Sequence, residues 1–76
     1  MNKERREAID KLANQIESIK DEVQSLLDEE QEYKDNIPEN MQQSEKADIA
    51  DNAISALDQA IANLDSAIND LSEASQ

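Results

Sequence analysis

The sequence contains no glycine, cysteine, histidine, tryptophan or phenylalanine, and it has one proline and one tyrosine. Because glycine supplies the left-handed backbone of tight hairpin turns, a fold of many strands is not expected. The absence of cysteine excludes a disulfide framework and thiolate metal sites, and it fits a reducing compartment. Without histidine, cysteine or a glycine-rich loop, the chain also lacks the usual nucleophile–base pair and phosphate-binding loop. These absences favour a non-enzymatic protein without a cofactor or a metal ion.

Positive charge is also scarce, since 7 basic residues stand against 19 acidic ones and give a net charge of −12 over 76 residues. Such a charge argues against direct binding to nucleic-acid phosphates and to anionic membranes. No apolar run reaches the roughly 18 residues of a spanning helix, and no apolar segment follows the charged start as in a secretory signal. We therefore expect a cytoplasmic protein whose partner is another protein, with basic proteins favoured.

The apolar residues that are present follow a helical period. In the first half they recur at intervals of three and four residues from Ile9 to Leu26. With Ile9 as position a of a heptad, isoleucine and valine occupy a, while position d holds Leu12, Ile19, Leu26 and Tyr33. This 3.5-residue period is typical of coiled-coil packing. We expect Tyr33 to close the core at the end of the stripe.

The second half repeats one heptad three times over residues 51–71, with isoleucine at a and leucine at d. Position e holds aspartate in each repeat, at Asp51, Asp58 and Asp65. Position g holds alanine, at Ala53, Ala60, Ala67 and Ala74. Alanine at position g makes the apolar face of helix 2 wider than a contact between two helices requires. The wider face indicates a second packing neighbour. Aspartate at position e predicts that this edge of helix 2 is exposed to solvent.

The connection between the stripes predicts a turn. Pro38 disfavours helical geometry at Ile37, and Ser44 suits the N-cap of a second helix. We predict a single domain over residues 1–76, with helix 1 over about 3–34, a loop over 35–43 and helix 2 over about 44–73. A short connection makes two such helices antiparallel neighbours. The fold class is therefore an all-α antiparallel hairpin.

The expected core joins the a and d positions of both helices. In helix 1 these are Ile9, Leu12, Ile16, Ile19, Val23 and Leu26, and in helix 2 they are Ile54, Leu57, Ile61, Leu64, Ile68 and Leu71. Two helices alone leave each apolar stripe partly exposed to solvent. Domains this small usually need a disulfide, a structural metal ion or an oligomer for stability. The sequence predicts a homodimer that forms a four-helix bundle through helix 2, packed at Ala53, Ala60, Ala67 and Ala74.

Candidate partner-binding residues fall in two places. The aspartates Asp51, Asp58 and Asp65 either form a solvated flank or attract a basic protein. Ile37 and Met41 in the loop either anchor a partner or fold back onto the end of the bundle. The expected function is a protein-binding accessory protein. The alternatives are an inhibitor that mimics DNA and a structural, self-assembling coiled coil.

The turn and its flanks resemble small acidic helical-hairpin proteins of phages and prophages of Gram-positive bacteria. The shared features are an acid-acid-Gln-Glu-aromatic run, an Asn-Ile-Pro-Glu-Asn turn and a Ser-Glu cap before acidic heptads. The matching positions are Glu29, Glu30, Gln31, Glu32, Tyr33, Asn36, Ile37, Pro38, Glu39, Asn40, Ser44 and Glu45. The resemblance covers about half of the chain and implies a phage origin, with the host cytosol as location and a host protein as partner.

The alanine column yields a prediction about self-association. If it packs against a second copy, Ala60→Lys places a charge in a tight contact, and an unpaired buried charge costs several kcal/mol. We expect Ala60→Lys to dissociate the dimer or unfold the chain, as seen by light scattering and circular dichroism. The control is Gln59→Lys, which adds the same charge one residue away, on the face of helix 2 expected to be exposed to solvent. Equal dimer content in the two variants would contradict the role given to the alanines.

Overall fold

The computed structural model describes residues 1–41 and 44–76 of the chain. Its elements are helix α1 (Lys3–Asp35), a short 3-10 helix (Glu39–Met41) and helix α2 (Glu45–Ala74). The described residues contain no strand, and the two long helices pack against each other. The last two positions of the predicted loop, 42 and 43, lie outside the described residues.

Local sequence signals set the helix ends. The side chain of Asn2 accepts a hydrogen bond from the Arg5 backbone N–H at 2.7 Å and caps α1. Ser44 caps α2 by accepting from the Ala47 N–H at 3.5 Å, as its residue type predicts. At the other end of α1, the Asn36 N–H donates to the Glu32 carbonyl at 3.1 Å, two residues before Pro38.

The helices run antiparallel, and two ion pairs demonstrate it. Lys20 near the middle of α1 contacts Asp65 of α2, and Lys34 near the end of α1 contacts Asp51 near the start of α2. The two lysines are two heptads apart in α1, and the two aspartates are two heptads apart in α2. Both pairs therefore fit one antiparallel register of the helices. The result is a rod of 60 × 14 × 12 Å.

The core of this rod is thin. Among the described residues only Ile37, Ala47 and Ala50 are buried, and no large side chain is fully buried. Along α2 the half-buried residues occupy positions a, d and g: Ala53, Ile54, Leu57, Ala60, Ile61, Leu64, Ala67, Ile68 and Leu71. The alanines at g other than Ala74 thus lie at the edge of the seam, while Ala74 is exposed.

The seam of α1 differs from the expected one. Apart from Gln31 at position b, its half-buried residues occupy positions a and e: Ile9, Ala13, Ile16, Lys20, Val23, Leu27, Glu30 and Lys34. The residues at d, which were predicted to face α2, are instead about half exposed, as is Tyr33. The physical reason lies in the e column of α1, which combines the half-buried Ala13 and Leu27 with the two lysines that meet aspartates of α2. Helix α1 is therefore rotated toward its e column.

The buried alanines near the turn give a test of the packing. Ala50 is 0% exposed, so Ala50→Leu must force extra carbons into a closed contact, and overpacking of this kind costs about 1–3 kcal/mol. We expect a lower free energy of unfolding in urea, followed by circular dichroism. Ala62→Leu makes the same change at an exposed position of α2 and is expected to change stability by no more than about 0.5 kcal/mol. Similar losses in both variants would contradict close packing at Ala50.

Candidate protein-interaction surface

Two of the three aspartates in the repeated column bind lysines of the other helix. The Lys20 Nζ lies 2.7 Å from Asp65 Oδ1 and 3.5 Å from Glu17 Oε1. Lys34 forms the equivalent pair with Asp51. The lysine side chains are half-buried against the neighbouring helix, whereas the two aspartates remain exposed. The e edge is therefore bridged by cations at two points rather than left wholly to water.

These contacts raise the pKa of both lysines above the ordinary value of 10.5. For Lys20 the largest cause is the hydrogen bond to Asp65, followed among the raising effects by the charges of Asp65 and Glu17. For Lys34 it is the hydrogen bond to Asp51, with the charges of Asp51 and Asp35 adding to it. Partial desolvation lowers each pKa but does not reverse the direction.

Asp58, the middle aspartate of the column, is exposed, and no cation lies within salt-bridge range of it in the described part of the chain. Helix α2 has no lysine or arginine after Lys46. The side of α2 that carries position e and the adjacent positions b and f consequently presents a line of exposed carboxylates: Asp48, Asp51, Asp58, Asp65 and Glu73. We call this line the acidic surface.

The two loop residues predicted as a partner anchor have different environments. Ile37 is buried, at 9% exposure, whereas Met41 is 42% exposed. The chain bends after α1, where the Ile37 N–H donates to the Lys34 carbonyl at 3.1 Å, and the Ile37 side chain is buried at this bend. Ile37 is thus part of the core, and only Met41 of this pair lies at the surface.

A second surface was not predicted. Leu12, Ile19, Leu26 and Tyr33 form a row along α1 and are 50%, 47%, 54% and 48% exposed. Near the turn, Tyr33 and Ile49 of α2 line one shallow groove together with Glu30 and Lys46, and Ile49 is 59% exposed. The heptad spacing reveals this row, but only the rotation of α1 shows that it faces outward.

Two other kinds of feature are absent from the described residues. No group of three or more histidine, cysteine, aspartate or glutamate residues within them is arranged to hold a metal ion. Neither helix of the described part combines the length and the apolar character that crossing a membrane requires.

Comparisons with known proteins give no relative. No family model matches the chain, and no curated protein and no solved structure matches it significantly.

The lysine–aspartate pairs make stability depend on alkaline pH. A lysine whose pKa is higher in the folded state stabilises the fold fully below its unfolded value of 10.5 and loses that effect as the pH rises through the folded value. We expect the urea midpoint of the wild type to fall above pH 10.5, and to fall less in Lys20→Gln. Lys3→Gln removes an exposed lysine at the start of α1 and should keep the wild-type dependence. Identical alkaline profiles of the two variants would contradict the contribution of the Lys20–Asp65 pair.

Proposed function

We propose that this protein is a non-enzymatic accessory protein that binds a basic protein through the acidic surface of α2. One observation carries the proposal: α2 presents exposed carboxylates along its length with no cation after Lys46. Complementary charge accelerates encounter and selects among partners even where it adds little affinity. The two bridging lysines come from α1 and leave Asp51 and Asp65 more than half exposed.

The origin and the oligomeric state belong to the same proposal. The likeness of the turn region to small acidic phage proteins supports a phage protein that acts on a host protein in the host cytosol. The thin core of the hairpin supports a homodimer that forms a four-helix bundle, because no large side chain in the described residues is fully buried. Domains of this size usually need a disulfide, a structural metal ion or a partner chain to become stable.

Mimicry of DNA is the second candidate, since carboxylates on a rod can stand in for phosphates. The aspartate column repeats every heptad, which is about 10 Å along a helix, whereas duplex DNA carries one charge per about 1.7 Å of axis. Mimicry would therefore need carboxylates from both helices. Acidic residues of α1 such as Asp28, Glu29 and Glu32 are exposed and supply part of that density.

Capture from a lysate of a Gram-positive bacterium with matched baits tests the proposal. The first variant, Asp51→Asn/Asp58→Asn/Asp65→Asn, removes three charges from the acidic surface. The control, Asp10→Asn/Asp21→Asn/Asp28→Asn, removes the same number from exposed positions of α1. We expect the wild type and the control to retain one basic protein in stoichiometric amount and the first variant to lose it, with helicity checked by circular dichroism.

The remaining outcomes separate the alternatives. A captured nucleic-acid-binding protein that duplex DNA displaces would favour the mimic. Equal capture by all three baits would contradict binding through the aspartate column. No capture by the wild type would contradict the accessory-protein proposal and favour a purely structural coiled coil.

A further inference from the structure

One side of the hairpin carries exposed apolar residues from both helices. It carries the exposed row of α1 (Leu12, Ile19, Leu26 and Tyr33) and the alanine column of α2 (Ala53, Ala60 and Ala67). Together these residues are called the apolar face. The row repeats every seven residues, which is the spacing with which helices pack in coiled coils and bundles. A face of this kind can pack against a second pair of helices.

The positions of the ion pairs show that the row and the column share one side. On α1, positions d and e flank position a from opposite edges, and on α2, positions g and e flank the seam in the same way. Both ion pairs join e to e, so d of α1 and g of α2 lie together on the other side. The groove shared by Tyr33 and Ile49 lies on that side as well.

The hairpin exposes more surface than a compact chain of its mass. The chain exposes 5668 Å², whereas a compact monomer of 8.5 kDa exposes about 4,700 Å². The excess is about 1,000 Å², and a stable protein–protein interface buries about 800 Å² on each partner. The radius of gyration, 17.4 Å, likewise exceeds the roughly 11 Å of a compact chain of this length. One face-to-face contact along the rod would cover most of the excess area.

We propose that a second copy of this chain covers the apolar face, with the two turns at opposite ends of the resulting four-helix bundle. This proposal rests on the dimer part of the proposed function and adds the face and the arrangement. Each α1 then lies antiparallel to the partner's α1, with Leu12 beside the partner's Tyr33 and Ile19 beside the partner's Leu26. In this arrangement the exposed row of α1 contacts the same row of the partner over its full length. Each α2 meets the partner's α2 through the alanine column.

Charge favours turns apart over turns together. Residues 28–35 hold five acids and one lysine, whereas residues 3–11 hold four of the seven basic residues of the chain. With the turns together, the two most acidic ends would lie side by side. With the turns apart, Lys11 approaches the partner's Glu32, and Lys46 approaches the partner's Asp70. In the single hairpin these four side chains are exposed, and none has an ion pair in the described residues.

Light scattering tests the second copy as the occupant. We expect the wild type at micromolar concentration to have twice the 8.5 kDa mass of one chain. Ile19→Lys should halve that mass while the far-ultraviolet circular dichroism remains helical, because Ile19 is already 47% exposed within the hairpin. Asn14→Lys adds the same charge at an exposed position of α1 outside the apolar face and should stay dimeric. A monomeric wild type, or a dimeric and helical Ile19→Lys, overturns the proposal.

Spin labelling tests the arrangement without perturbing the face. The chain has no cysteine, so Asn40→Cys gives one label in the exposed turn of each copy. Turns at opposite ends give a label separation on the order of 50 Å, from a rise of about 1.5 Å per residue on each side of the axis. Turns side by side give about 20 Å, from helices about 8–10 Å apart. The longer distance is expected, and the shorter one overturns the arrangement.

These results are independent of the acidic surface. If Ile19→Lys does not fold, the wild-type mass and the label distance still decide the proposal. A dimer with the longer distance whose bait captures nothing supports this inference while contradicting the binding function. Charge-dependent capture by a monomeric wild type does the reverse.

Discussion

The orientation of α1 about its own axis is the constraint on which the rest of the structure depends. Lys20 and Lys34 reach across one edge of the hairpin to aspartates of α2, and this edge sets which positions of α1 face the seam. Positions a and e turn inward, so the d row turns outward. The thin core and the apolar face both follow from that single rotation.

Ion pairs alone do not account for the rotation. Burying one leucine or isoleucine fully is worth roughly 1.5–3 kcal/mol, far more than an exposed ion pair contributes. Ala13 and Leu27 add apolar contact on the e side, yet they do not match the four large side chains of the d row that remain about half exposed. The balance changes if a second copy buries the row, because the apolar residues and the ion pairs are then satisfied together. The rotation therefore supports the proposed bundle, in which a second copy covers the row.

Much of the fold could be predicted from the sequence, and the failures have a common cause. The 3.5-residue period, Pro38 and the Ser44 cap predicted two helices whose ends the structure places within one residue, at Lys3–Asp35 and Glu45–Ala74. Heptad spacing identifies apolar stripes but not how far each helix is rotated about its axis. For that reason Leu12, Ile19, Leu26 and Tyr33 were wrongly placed in the seam.

The sequence did contain a signal for the rotation. Lys20 and Lys34 both occupy position e of the first helix, and Asp51 and Asp65 occupy position e of the second. Columns of opposite charge on antiparallel helices predict which edges meet. The candidate site was less accessible, because Ile37 and Met41 are close in sequence and only the turn geometry separates the buried residue from the exposed one.

The net charge links the two proposed surfaces. A dimer would carry twice the −12 of one chain, and this self-repulsion opposes association. The apolar face must therefore supply the attraction, and an arrangement that separates the acidic turns reduces the repulsion. Face-to-face packing leaves the e edge of each α2 on the outside, since that edge lies opposite the alanine column. The proposed self-association and the proposed binding of a basic protein would thus use opposite sides of the same hairpin, so that one would not obstruct the other.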